Sequence, residues 1–113
     1  MTKIYHNPRC SKSRQTVQLL EREGETFETV LYMDSPPTAT ELTDILKQLG
    51  LQPIDLVRMN EQIWKENYKG KDLTNAQIVA AMVAHPRLIE RPIVIKNGKA
   101  ALGRPPENIL GIL

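Results

Sequence analysis

The sequence predicts one α/β domain with a mixed sheet, ordered strand–helix–strand, helical insert, strand–strand–helix. Three observations predict it. Residues 26–32 form a β-branched, partly alternating run that follows a stretch from Ser11 to Glu23 free of proline and glycine, which is the pattern of a βαβ unit. Asn97-Gly98 separates two short apolar runs, 92–95 and 100–102, and is the clearest hairpin signal in the chain. In between, Thr38 with Glu41 and Thr74 with Gln77 have capping-box spacing ahead of apolar residues at helical intervals.

In order, Lys3-Ile4-Tyr5 ends a first strand, and the helix from Ser11 to Glu23 carries Val17, Leu19 and Leu20 before Gly24 stops it. The second strand gives way to the loop Asp34-Ser35-Pro36-Pro37. Thr38 opens a helix with the stripe Leu42, Ile45, Leu46 and Leu49, closed by Gly50. Pro53 opens a short helical segment through Ile54, Leu56 and Val57, and Asn60 is expected to cap another carrying Ile63, Trp64 and Tyr68 up to Gly70. The helix after Thr74 carries Ile78, Val79 and Met82 and ends at His85-Pro86. After the hairpin comes Gly103-Arg104-Pro105-Pro106, and then a final helix expected to bury Ile109, Leu110 and Leu113. This is the layout of a thioredoxin-like fold: one domain over residues 1–113, with a helical insert at about 38–86.

A chain of 113 residues can build a core without staples. One cysteine excludes an internal disulfide, and with only two histidines no metal site is expected. No signal segment and no membrane-spanning run is read, so a cytoplasmic, reducing setting is expected. A net charge of +2 and few aromatic residues give no reason to expect nucleic acid.

The chemistry centres on Cys10. It stands where the first strand hands over to a helix, and unpaired N–H groups and the dipole there favour an anion. A thiol so placed is expected to lose its proton more easily than a free cysteine. Arg9, Lys12 and Arg14 flank it, with no acidic residue before Glu21. Each cation in a first turn costs about 0.3–1 kcal/mol against the dipole, unless a thiolate and a bound oxyanion reverse the sign. The alternative is a small buried cysteine among solvated charges.

Arg58, Arg91 and Arg104 each end or precede an element, two of them directly before proline. They either serve solubility or converge on an oxyanion, for which the planar guanidinium is suited. His6, four residues before Cys10, can take up a proton, stabilise a thiolate, or simply bond to neighbouring backbone. Ser11 and Ser13 can cap the helix or donate to the sulfur.

His6-Asn7-Pro8-x-Cys10-x-x-Ser13-Arg14 resembles the signature of the glutaredoxin-linked arsenate reductase family. Leu56-Val57-Arg58, Arg91-Pro92-Ile93-Val94 and Gly103-Arg104-Pro105 resemble its other blocks, so the likeness runs from Ile4 to Leu113. The resemblance implies a thioredoxin-like fold, Cys10 as nucleophile, and Arg58, Arg91 and Arg104 as ligands of arsenate or a similar oxyanion. His6, Ser13 and Arg14 are supporting residues, and the Arg91-Pro92 bond is implied to be cis. Ser11-Lys12 stand where the best-known members carry Gly-Thr.

Arsenate reduction needs two electrons, and one thiol cannot supply both. Glutathione is therefore expected as co-substrate, with a glutaredoxin-like dithiol protein to free Cys10 from the mixed disulfide. No tightly bound cofactor is expected. Two other readings are a regulator of the same superfamily that binds RNA polymerase and a thiol-dependent reductase for another substrate. The regulator's redox switch normally uses a CxxC pair, and Ser13 occupies the second position here.

Overall fold

A computed structural model describes all residues, 1–113. They group into two compact units, Met1–Ser35 with Arg91–Leu113, and Pro36–Glu90. No helix is long and apolar enough to cross a membrane.

The first unit contains β1 (Thr2–His6), α1 (Ser11–Arg22) and β2 (Phe27–Leu31). Its remaining chain supplies one antiparallel hairpin and a 3₁₀ stretch, Pro106–Ile112. The hairpin strands are Ile93–Lys96 and Lys99–Leu102, and the sheet order is second strand, first strand, then these two. β1 runs parallel to β2, with His6 opposite Leu31, and antiparallel to the Ile93–Lys96 strand, with Ile4 opposite Val94. The hairpin turn needs positive φ twice, and Asn97 (52°) and Gly98 (77°) supply it. Ile4, Leu19, Leu20, Val94 and Ile109 form the core, with Val17 partly buried against it. Each such side chain contributes about 1.5–3 kcal/mol by leaving water. This core fixes α1 on the sheet and so sets where its first turn lies.

At the carboxyl end the sequence expectation holds for Ile109, which is fully buried, and fails for Leu110. The final helix is 3₁₀, with three residues per turn, so Ile109 and Ile112 share the inward face. Leu110 turns out to solvent, 42% exposed, and Leu113 is only half-buried.

The second unit contains α2 (Ala39–Leu49), α3 (Gln62–Asn67) and α4 (Asn75–Ala84), with 3₁₀ turns at Pro53–Leu56 and Pro86–Leu88. Both capping boxes form. The Glu41 N–H donates to Thr38 Oγ1 at 3.1 Å and the Thr38 N–H to Glu41 Oε1 at 3.0 Å. Thr74 and Gln77 repeat the exchange at 2.8 and 3.2 Å. Gly50 ends α2 at φ 71°, a left-handed conformation that costs glycine little. Asn60 does not cap α3; Glu61 holds that place, without a side-chain capping bond. Leu42, Ile45 and Leu46 of α2 and Ile78, Val79 and Met82 of α4 are buried, whereas Leu49 is half-buried. Val57 and Ile89 make an isolated antiparallel bridge, beside which the Arg58 N–H donates to the Leu88 carbonyl at 2.7 Å.

Candidate active site

The loop from β1 to α1 is tied by its own backbone. The Cys10 N–H donates to the Asn7 carbonyl at 3.0 Å, and the Arg9 N–H to Asn7 Oδ1 at 3.0 Å. An asparagine side chain that closes such a turn takes over a bond the backbone would otherwise leave open. Arg14 Nη1 then donates to the Pro8 carbonyl at 2.8 Å, which clamps the loop to the helix it precedes.

Cys10 is the N-cap residue of α1, in an extended conformation (φ −98°, ψ 124°), and is half-buried. No regular side-chain capping bond closes this turn. Burial pushes the thiol up, but the Ser13 N–H, the Arg91 guanidinium and the Lys12 N–H together hold it below the ordinary cysteine value. The expected activation is present, and the N–H groups of the helix start contribute to it as read, but the flanking cations do not. The Arg9, Lys12 and Arg14 side chains are not among its causes; backbone N–H groups and Arg91 are.

Arg104 completes this cluster. Its Nη1 lies 3.8 Å from Cys10 Sγ and 3.2 Å from the Arg91 carbonyl oxygen, to which it donates. Gly103 lets the chain come this close. Its N–H donates to the Pro92 carbonyl at 3.0 Å, and a Cβ there would stand 2.5 Å from Thr16 Oγ1 and 2.7 Å from Pro92 Cγ. The Arg91-Pro92 peptide is cis, as the resemblance implied, and so is Arg104-Pro105, which the sequence reading did not anticipate.

His6 and Ser13 take different places from those read in the sequence. His6 Nδ1 lies 2.6 Å from Ser13 Oγ, and the same Oγ accepts the Asn7 N–H at 3.0 Å. Burial and then the positive charge of Arg14 hold the His6 imidazole below its usual value, so it is neutral near pH 7. The Ser13 hydroxyl links His6 to the loop backbone, accepting the Asn7 N–H and sharing one proton with Nδ1. The hydroxyl of this fully buried serine therefore holds the loop, and its backbone N–H serves the sulfur.

The structure thus brings Cys10, Arg91 and Arg104 together within the first unit. Arg58 belongs to the second unit, where Nη1 is 3.3 Å from Glu90 Oε1 and Nε is 3.8 Å from Glu61 Oε2. Glu61 also reaches Arg87 Nε at 3.4 Å. The sequence reading missed both carboxylates; the spacing of Arg58 and Glu61 was the available signal. No group of three His, Cys, Asp or Glu side chains is placed to hold a metal ion. A poised thiolate with two guanidinium groups beside it can attack a tetrahedral oxyanion centre while its negative oxygens are held.

Comparison with known proteins places the chain in a family. The model of the ArsC family matches residues 5–112. The chain is 50% identical to the uncharacterized protein YfgD of Escherichia coli, covering 98% of this chain and 95% of that protein. It is 48% identical to an arsenate reductase of Neisseria meningitidis serogroup B, covering 98% and 97%. Among solved structures, the arsenate reductase from Vibrio cholerae superposes with a TM-score of 0.95 at 46% identity, covering 99% of this chain and 97% of that one.

Proposed function

The chain belongs to the ArsC family of arsenate reductases, with its thioredoxin-like fold, and from that premise we propose that it reduces arsenate to arsenite through the Cys10 thiolate. Glutathione and a glutaredoxin-like dithiol protein supply the electrons. The observation that carries this reading is the Cys10 sulfur, held below the ordinary thiol value with Arg104 Nη1 3.8 Å away.

The thiolate attacks arsenic(V) and one arsenic oxygen leaves as water, giving a cysteinyl-arsenic adduct. Arg91 and Arg104 hold the remaining oxygens, whose charge grows as the sulfur bonds. Glutathione then attacks the Cys10 sulfur, the sulfur–arsenic bond breaks, and its electron pair leaves with arsenic as arsenite. Two thiols have lost one electron each and now form a mixed disulfide. The dithiol protein attacks that bond, regenerates Cys10 and carries away the oxidising equivalents. The resemblance gives Arg58 a share in oxyanion binding, which Arg58→Ala tests through KM for arsenate.

The deciding experiment couples arsenate, glutathione, glutaredoxin and glutathione reductase to NADPH oxidation, withholding each component in turn, with intact mass read in parallel. Turnover is expected only with the full set. Without glutaredoxin, one glutathione per chain accumulates on Cys10, and Cys10→Ser is inactive. Sustained turnover by the wild-type protein without an external thiol would overturn the mechanism. No turnover with every component present would overturn arsenate as substrate.

A further inference from the structure

The Arg9 and Lys12 side chains take no part in the cluster around Cys10, although the Lys12 N–H does. Neither side chain is among the causes that lower the Cys10 thiol. Neither makes a hydrogen bond or ion pair within the chain; only their backbone groups do. Arg14, by contrast, is spent on the Pro8 carbonyl. Arg9 is exposed and Lys12 half-buried, directly before and two residues after the nucleophile, in a helix start that contains no acidic residue. Their charges oppose the helix dipole and have no acidic partner within the chain.

The thiolate and the oxyanion already have Arg91 and Arg104. What remains is the second thiol, which must bring its sulfur to the Cys10 sulfur. A tripeptide thiol of the glutathione kind carries a carboxylate at each end with the thiol between them. Two cations bracketing the nucleophile in sequence are the charge complement of such a molecule. We propose that the Arg9 and Lys12 side chains form a docking surface for the carboxylates of a glutathione-type thiol approaching Cys10. This deepens the arsenate reductase reading and rests on it for its role in turnover. The docking itself is testable without arsenate.

The test is thiol–disulfide exchange. The Cys10 thiolate attacks one sulfur of oxidised glutathione, the disulfide bond breaks, and one glutathione thiolate leaves with the electron pair. The second-order rate is read by quenched intact mass, with the neutral bis(2-hydroxyethyl) disulfide as comparison. Arg9→Gln is expected to slow the reaction with oxidised glutathione and to leave the neutral disulfide within about twofold. Adding Lys12→Gln, which keeps the Lys12 N–H, should bring the glutathione loss to about three- to tenfold. Raising salt from about 20 to about 500 mM should slow the wild-type protein with oxidised glutathione and scarcely affect the double variant.

Equal losses with both disulfides would show that the cations act on the thiol itself, and would overturn the docking surface. Undiminished reaction of the double variant with oxidised glutathione would overturn it as well. An arsenate assay that fails while the charge-selective loss persists would overturn only the reductase reading.

Discussion

The first turn of α1 and the first turns of α2 and α4 face the same physical demand and meet it in opposite ways. Each begins with N–H groups that have no partner in the helix. In α2 and α4 a threonine takes one of them, and Glu41 or Gln77 reaches back to the threonine N–H. In α1 no side-chain oxygen closes the turn, no acid stands in it, and the N–H groups of Ser13 and Lys12 are left to a sulfur. A turn closed by its own residues is finished. A turn left to a thiol keeps its electrostatic field for a reactant, and the nearby arginines make that field stronger. The difference separates helix starts that serve the fold from one that serves chemistry.

The largest effect that can sharpen this comparison is at Arg91. Both the charge and a hydrogen bond of Arg91 favour the Cys10 thiolate, so Arg91→Ala raises the thiol toward its ordinary value. The sign follows from the equilibrium: the thiolate is present above the native pKa and is lost as pH falls through it. The pH profile of alkylation therefore moves to higher pH in the variant, and the reaction slows at a fixed pH below the new inflection. Loss of a charge-assisted contact of about 1.5–3 kcal/mol also lowers arsenate turnover by roughly one to two decades if the transition state feels it. An unmoved alkylation profile would mean that the helix start alone activates the sulfur.

Gly103 comes next. A Cβ at this position would enter the space of Thr16 Oγ1, at 2.5 Å, and of the Pro92 ring, at 2.7 Å. Thr16 is fully buried and its hydroxyl is held by the Lys12 carbonyl at 2.8 Å, so it has little room to yield. Gly103→Ala is expected to destabilise the protein by about 1–3 kcal/mol in urea unfolding. It should also displace Arg104 and slow alkylation of Cys10. Thr16→Ala in the same chain should recover part of the stability, because the two changes act on one contact. Additive losses would place the strain elsewhere.

The parts of the molecule that were legible in the sequence are those fixed by residues close together along the chain. Asn97-Gly98, the two capping boxes and Gly50 each specify local geometry directly, and all form as read. Cys10 at a helix start was legible for the same reason, and the conjunction of Cys10 with Arg91 and Arg104 came through the family motifs. The failures lie where distant segments or a choice of helix type decide. The 3₁₀ winding of residues 106–112, which exposes Leu110, leaves the same apolar residues in sequence as an α-helix does. Sequence proximity suggested that Arg9, Lys12 and Arg14 activate the thiol, yet the arginine that acts on it arrives from the far end of the chain. The pairing of Ser13 with His6 was hidden because a serine in a first turn has several partners within reach.

The smallest expected effect tests the other side of the comparison. Thr38→Ala and Thr74→Ala each remove an oxygen that accepts a helix N–H, from Glu41 at 3.1 Å and from Gln77 at 3.2 Å. Both turns are exposed, so water replaces much of the lost bond, and each change is expected to destabilise by about 1 kcal/mol. Serine at either position restores the acceptor and should restore most of the stability. Neither α2 nor α4 carries a cation or a thiol that depends on its first turn, so the alkylation rate of Cys10 should stay at the wild-type value in both alanine variants. Thermal unfolding and alkylation measured on the same samples separate the two properties. A capping variant that lost stability and also slowed Cys10 would break the distinction, because the field at the sulfur would then depend on helix starts that the sequence devotes to folding.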